Sequence, residues 1–533
     1  MSAAPARLGT TPGVDTPEGI TDLGGCQDVI DEFADPEDIE AMPDDKNAPS
    51  PGELGGSATT DEANAKRFVA QHGAKLRYVK KWGTWLVWDG IRWAEEEVDL
   101  TRAMARETAR RTYSEAMTAT SDKEAEALAK WARASSSADR MEKMVRVASW
   151  DPAVMARPKE FDREPWELNT PGGILDLKTG IVRAHAPSAM HTKLTATAVQ
   201  EGNPIRWLKF LDEIFDGDRE LIDWVQRLLG YSLMGTVREH VLAICWGSGA
   251  NGKSTLLEVV QGVLGEYAAP ADPTLLLAKR SDAHPAGIAD LRGLRLVTCQ
   301  ETDEGRSLDE ATVKNLTGGT ERKARFMRGN FFSYTPSDTI WLATNHRPMI
   351  RNNDNGIWRR VKLIPFTVEI PVDRQNPELK AELLATEGPQ ILAWLVTGCL
   401  RYQAEGLGTA KAVETATERY RAEMDTIGEF IKDRCTVDGS AKVSASELFS
   451  EFTAWAQDNK VRLMDSRRFS HEMADRGFDE VRRRDGKVFL GIKVTPWDER
   501  LGITINDDNI GATAGDELDE ILELPTRPVT YAA

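Results

Sequence analysis

Eight consecutive residues, Gly247-Ser248-Gly249-Ala250-Asn251-Gly252-Lys253-Ser254, fit the pattern G-x-x-x-x-G-K-[ST]. The chemistry these types allow at this spacing is phosphate binding. Glycines let backbone N–H groups curl around phosphate oxygens, and a helix beginning at Lys253 would add its partial positive charge. Gly247, Gly249, Asn251 and Gly252 would form the loop, with Lys253, Ser254 and Thr255 at the helix start. Lys253 would reach the β- and γ-phosphates of a nucleoside triphosphate, and Ser254 would place its hydroxyl on Mg²⁺. Hydrolysis also needs an acid at the tip of a neighbouring strand. Glu301 ends the apolar run 294–300, with Asp303 close behind. Asn345 ends a third apolar run, 339–344, where an amide could hydrogen-bond the γ-phosphate or the attacking water. Further on, Arg359 and Arg360 are placed to face the nucleotide of a neighbouring subunit and stabilise transition-state charge.

These side chains need elements to hold them. The run His240–Trp246 reads as a buried strand, and 255–264 is apolar at helical spacing and ended by Gly265. Strand, glycine loop and helix form the context that makes the pattern a site. Between Glu301 and Asn345 lies a stretch carrying Lys314, Arg322, Lys323, Arg325 and Arg328, interleaved with Phe326 and Phe331. Basic residues alternating with aromatics suit single-stranded nucleic acid, and a solvated hairpin is the plainer alternative.

The remaining chain divides by composition. Residues 1–60 are rich in Pro, Gly, Asp and Glu and are expected to be disordered. Residues 61–120 open on a helix and continue into an antiparallel meander, 76–93, with turns at Gly83 and Asp89-Gly90. Trp82, Trp85, Trp88 and Trp93 there suit a small-sheet core better than a stacking platform for bases. Residues 98–150 read as helical, 161–185 as short strands, and 205–233 as two amphipathic helices packing beneath the nucleotide site. Residues 380–425 are helical. Residues 427–494 read as a separate small domain of three helices and a hairpin turning at Asp485-Gly486. Arg467 and Arg468 would begin a recognition helix, and Arg482, Arg483 and Arg484 would sit on the hairpin, placed for DNA backbone contact.

The net charge of −18 argues against nucleic acid only until it is located. Residues 1–60 carry −11 and residues 501–533 carry −6, which leaves −1 for the 440 residues between. A near-neutral body can hold local basic patches. Five cysteines lie far apart with no C-x-x-C pair, so buried reduced thiols are expected rather than zinc or disulfides. No signal-peptide pattern or run of ~18 apolar residues is apparent, so no membrane partner and a cytoplasmic location are expected.

Taken together, 240–370 resembles the helicase domain of the phage and plasmid primase–helicase family, within superfamily 3 of the AAA+ class. The resemblance rests on Gly247–Ser254, Leu296–Glu301, Lys314–Arg325, Ile340–Asn345 and Asn355–Phe366. Residues 61–235 resemble the domain that precedes it, notably at Pro165–Asn169 and Leu229–Leu233. The resemblance implies an α/β fold: a P-loop AAA+ type core (236–425), a preceding α+β domain (61–235), a winged-helix-like domain (426–496) and an acidic disordered tail (497–533). It also implies a ring, usually of six subunits, that hydrolyses ATP with Mg²⁺ and moves along single-stranded DNA at a fork. Lys253 and Ser254 would be Walker A, Glu301 Walker B, Asn345 sensor 1, and Arg360 or Arg359 the arginine finger. Lys314 to Arg328 would line the pore. Many members end Walker B with two acids, whereas this chain has Gln300-Glu301. A helicase working with a primase, and an origin-binding initiator ATPase, are the alternative readings.

Overall fold

The computed structural model describes residues 58–117, 119–278, 285–300, 306–326, 330–350, 355–459, 461, 463–484 and 486–496. The leader up to residue 57, the tail from 497, and Cys26, Glu301, Asp303, Arg328 and Asp485 lie outside the described residues. The chain divides into two compact units, one up to Thr417 and one from Glu418.

The first unit opens on helix α1 (Asp61–His72), started by Thr60, whose hydroxyl accepts from the Ala63 N–H at 3.0 Å. The expected meander follows as β1 (Leu76–Val79), β2 (Thr84–Trp88) and β3 (Trp93–Glu95), all antiparallel. Gly83 and Gly90 take positive φ at its turns. Burial decides the role of the four tryptophans. Trp85, Trp88 and Trp93 are buried, whereas Trp82 is 36% exposed. Helices α2 (Leu100–Met117), α3 (Asp122–Ser135) and α4 (Ala138–Ala148) follow, and Phe68, Leu76, Trp85, Met144 and Val154 share one core. A second small antiparallel sheet comprises β4 (Glu167–Thr170), β5 (Gly173–Asp176) and β6 (Val182–Arg183).

Helices α5 (Ile205–Ile214) and α6 (Arg219–Tyr231) lead into β7 (Leu242–Trp246), helix α7 (Lys253–Leu264) and β8 (Ala268–Ala271). Helix α8 (Pro285–Ala289), β9 (Leu296–Gln300) and α9 (Glu310–Leu316) precede a hairpin of β10 (Arg322–Arg325) and β11 (Phe331–Tyr334). Strand β12 (Thr339–Thr344), α10 (Asn355–Trp358) and β13 (Val361–Pro365) complete a five-stranded parallel sheet of order β13-β7-β12-β9-β8. Parallel strands are covered on both faces, which is why β12 is buried at all six residues and reads as an unbroken apolar run.

Helix packing does not break at residue 235. Trp207, Leu211, Trp224 and Leu228 of α5 and α6 lie in one core with Leu257 and Val260 of α7 and with helix α11 (Leu379–Glu405). Arg295, buried at the start of β9, donates to the carbonyls of Pro165 (2.9 Å) and Glu167 (3.2 Å), tying the β4 segment to the sheet. Helix α11 is long and apolar enough to cross a membrane by length and composition. Its Leu383, Ile391, Leu392, Leu395 and Cys399 are buried in this core, and α6 and α7 pack against it.

The second unit holds α13 (Thr426–Arg434), β14 (Cys435–Ser444), α14 (Ala445–Asp458), α15 (Ser466–Asp475), β15 (Glu480–Arg483) and β16 (Gly486–Val494). Helix α12 (Lys411–Met424) runs across the boundary. The strands form an antiparallel sheet of order β14-β16-β15. Ser444 caps α14, accepting from the Glu447 N–H at 3.1 Å, and Asp465 caps α15, accepting from Arg468 at 2.9 Å. The core is aromatic: Phe430, Phe452, Trp455, Phe469 and Phe489.

Close approach of α6 and α11 depends on glycine. A Cβ on Gly230 would lie 2.1 Å from the Cys399 backbone nitrogen, and one on Gly398 would lie 2.2 Å from the Gln226 carbonyl oxygen. Neither backbone can yield without separating the helices. Gly230→Ala is expected to cost about 2–3 kcal/mol in urea unfolding. An unchanged midpoint would mean that this crossing is looser than the structure has it.

Candidate functional site

The phosphate loop sits at the carboxyl edge of the sheet, where α/β folds place ligands. Trp246 of β7 pairs with Thr344 of β12, so Gly247 and Asn345 follow a matched pair and leave the sheet side by side. Gln300 pairs with Ala343, so β9 ends at that same edge, where the described residues stop.

Lys253 is the first residue of α7, and only 6% of it is exposed. Its ammonium donates to the Gly247 carbonyl (2.9 Å), Asn251 Oδ1 (2.7 Å) and Asn345 Oδ1 (3.0 Å). All three acceptors are neutral, and burial holds the Lys253 pKa below its ordinary value. The neighbouring Cys245 gives no counter-charge, because burial pushes its thiol up to about 12. Burial likewise pushes the Cys299 and Cys399 thiols up to about 12, whereas Cys435 is half-buried.

The loop's shape is built by contacts on both sides. Gly247 is required because a Cβ there would meet the Phe366 carbonyl oxygen at 2.2 Å. Gly252 has φ +80°, and its Cβ would lie 2.5 Å from Ile214. Asn251 is buried and donates to the Phe366 carbonyl at 3.3 Å. Ala250 takes φ +47° without being glycine, and its carbonyl accepts from Ile370 at 2.8 Å. No side chain caps α7. The N–H groups of its first turn, including Ser254 and Thr255, therefore have no intrahelical acceptor. Ser254 is exposed and Thr255 half-buried. Backbone donors, a buried ammonium and an exposed hydroxyl form a set that fits a polyphosphate and one metal contact.

The two arginines separate. Arg360 is buried, its Nε donating to Thr317 Oγ1 at 3.1 Å and its Nη1 to the Gly356 carbonyl, so it braces its own subunit. Arg359 is exposed. The basic stretch also divides. Arg322 and Asp338 form a buried ion pair at 2.6 Å, which takes Arg322 out of any surface that meets nucleic acid. Lys314 is half-buried on α9. Lys323 is exposed and Arg325 half-buried on the β10–β11 hairpin, and both stack over Phe331 at 5.2 and 5.1 Å. In the second unit Arg467, Arg482, Arg483 and Arg484 are exposed, while Arg468 is half-buried and pairs with Glu472 at 3.8 Å.

Sequence reasoning missed three contributors. Phe210 and Ile214 support Gly252 from α5, and only their apolar spacing was visible. Arg347 stacks on Trp246 at 4.6 Å beside the loop. Its closeness to Asn345 in the chain was the available signal.

Comparison with known proteins fits this layout. Residues 65–216 match the family described as D5 N terminal like, and residues 422–487 match the one described as Poxvirus D5 protein-like. Both segments of this chain are thus similar to D5-type domains. The first D5-type match spans the meander, helices α2–α4, the β4–β6 sheet and α5. The second spans most of the α13–β16 unit. A protein of Acanthamoeba polyphaga mimivirus, named as a candidate helicase, is 28% identical over 330 residues, covering 56% of this chain and 34% of its own length. One of African swine fever virus, named as a candidate primase, is 25% identical over 333 residues with the same coverage. One of Invertebrate iridescent virus 6, named as a candidate helicase, is 22% identical and is covered over 35% of its length. The chain thus spans about a third of the length of these relatives. The apo C-terminal region of NrS-1 aligns with 78% of this chain and 96% of its own, at 10% identity and a TM-score of 0.44.

The burial of Lys253 has a pH signature. With its folded pKa below the ordinary 10.5, the unfolded chain binds more protons between those two values, so stability rises with pH there. The burial penalty is complete below the folded pKa and fades as pH approaches 10.5. Lys253→Met is therefore expected to gain most over wild type near neutral pH and to lose that gain at alkaline pH, as read by urea unfolding. A difference constant with pH would show that the ammonium bears no such penalty.

Proposed function

We propose that this chain is an ATP-dependent DNA helicase of the superfamily 3, AAA+ type, acting in replication. The carrying observation is the three-oxygen hold on Lys253, which joins the phosphate loop to Asn345 on the adjacent strand. A buried ammonium whose acceptors among the described residues are all neutral, at a helix start with no side-chain cap among them, suits an anionic ligand. Loop N–H groups would hold the phosphates, and Lys253 would turn one of its three bonds toward them. Asn345, exposed at the strand tip, would orient the attacking water or the γ-phosphate. Ser254 and Glu301 would hold Mg²⁺, which neutralises charge developing on the phosphates. The exposed Arg359, rather than the internally bonded Arg360, would complete a neighbour's site in a ring, for which six subunits is our proposal.

DNA contact would come from Lys323, Arg325 and the hairpin aromatics, with Lys314 and Arg328 as further candidates. In the second unit the helix–strand–helix–helix–strand–strand order supports a winged helix, with Arg467 and Arg468 on its third helix and Arg482, Arg483 and Arg484 on the wing. The name of the swine fever relative favours a second reading, in which this chain is the helicase component of a primase–helicase. Primer synthesis with labelled nucleotides separates the two.

Three results test the proposal. Lys253→Ala is expected to abolish ATP hydrolysis with the fold retained, and surviving hydrolysis would remove the site. Arg359→Ala is expected to bind ATP but not hydrolyse it, and to regain activity when mixed with Lys253→Ala subunits. Arg360→Ala is expected to lose about 1–3 kcal/mol of stability, because Thr317 and Gly356 lose a buried donor. If the two arginine variants exchange these behaviours, the assignment reverses. Displacement of a strand from forked DNA, run beside native mass measurement, tests unwinding and the ring together.

A further inference from the structure

The meander turn Lys80-Lys81-Trp82-Gly83 is exposed at all four residues. Lysines are at home in water, so the Trp82 ring is the one group of this tip that loses by exposure, since large aromatics are usually drawn into cores. The other three tryptophans of this sheet are in its core. Trp82 is not detached from the rest of its unit. Its ring leans on Phe161 at 5.6 Å, and the Arg292 guanidinium lies over it at 5.2 Å. That same guanidinium lies 5.9 Å from the ring of Phe332 on β11, and the Lys81 ammonium lies 5.8 Å from that ring on its own account. Phe332 in turn stacks on Phe326 at 5.1 Å and 22°. Phe326 and Phe331 are 45% and 53% exposed.

These contacts join two segments far apart in sequence into one surface of alternating cations and rings. We infer that the Lys80–Gly83 turn and the β10–β11 hairpin together form one continuous track for single-stranded nucleic acid, with Trp82 a stacking position for a base and Lys80 and Lys81 phosphate contacts. This rests on the helicase reading above and extends it to a surface that the hairpin alone does not reach. Charge and shape select the occupant. Cations between exposed rings match a backbone that carries one charge per nucleotide and bases with π-faces. Asp162 is the acid whose field reaches Arg292, and it opposes an anion there only in part, because Lys81 flanks the same ring.

The test is binding of a fluorescein-labelled oligo-dT by the full chain, followed by anisotropy over a range of salt. Lys81→Glu is expected to weaken binding and to make its salt dependence shallower by about one counterion, a slope change near 0.7. Trp82→Ala is expected to weaken binding by roughly fivefold or more, with Trp82→Phe restoring most of it. Lys323→Glu serves as the control on the hairpin. If Lys323→Glu weakens binding while Lys81→Glu and Trp82→Ala bind as wild type with an unchanged salt slope, the joint track is wrong and the helicase reading stands. If wild type does not bind the oligonucleotide, the helicase reading fails and this inference fails with it. Retained oligo-dT binding in both turn variants, with loss of a protein partner instead, would assign the turn to protein docking and overturn the proposal.

Discussion

One buried ammonium organises this protein. Lys253 has left water at the start of α7, and its three hydrogen bonds go to a loop carbonyl, a loop amide and an amide on the next strand. That arrangement can exist only if β7 and β12 are adjacent, parallel and in register, so that Gly247 and Asn345 emerge together. It also needs a loop tight enough to aim Lys253 back at its own entrance. Gly247 and Gly252 give the loop that shape, pressed between the Phe366 carbonyl and Ile214. A buried lysine whose acceptors among the described residues are all neutral is an unfavourable resting state. It is the kind of local cost a fold retains where an anionic ligand is to be met.

The rest of the first unit holds that arrangement still. Helices α5, α6 and α11 fill the space beneath α7 with one apolar core. Glycine–backbone contacts fix the α6–α11 crossing, and Arg295 binds the β4 segment to the sheet. The segment preceding the nucleotide site is therefore continuous with it in packing. A movement of the sheet edge would be felt by α5, which touches the loop through Phe210 and Ile214. The turn carrying Trp82 lies on the same compact unit as the glycine loop.

How much was legible in the sequence follows the reach of each interaction. Strand β12 was readable to the residue, because six buried positions in a parallel strand leave an unbroken apolar run. The phosphate loop was readable because its chemistry is local in the chain. The caps Ser444 and Asp465 act over the same short reach, each accepting from a backbone N–H three residues on. Arg322 was misread as a surface cation, because its partner Asp338 lies on the far side of the hairpin and nothing near Arg322 signals it. The exposed Arg359 and the buried Arg360 were indistinguishable for a similar reason. Thr317, which accepts from Arg360, comes from α9's end, 43 residues earlier.

If Lys253 and Asn345 act on a bound nucleotide as one unit, their contributions to its binding are coupled. A double-mutant cycle on ATP affinity addresses it directly, with Lys253→Ala, Asn345→Ala and the double variant titrated against a fluorescent ATP analogue. The single losses are expected not to add, with a coupling of about 1 kcal/mol or more between the two positions. Losses that add within about 0.5 kcal/mol, or a wild-type chain that does not bind the analogue, would contradict it.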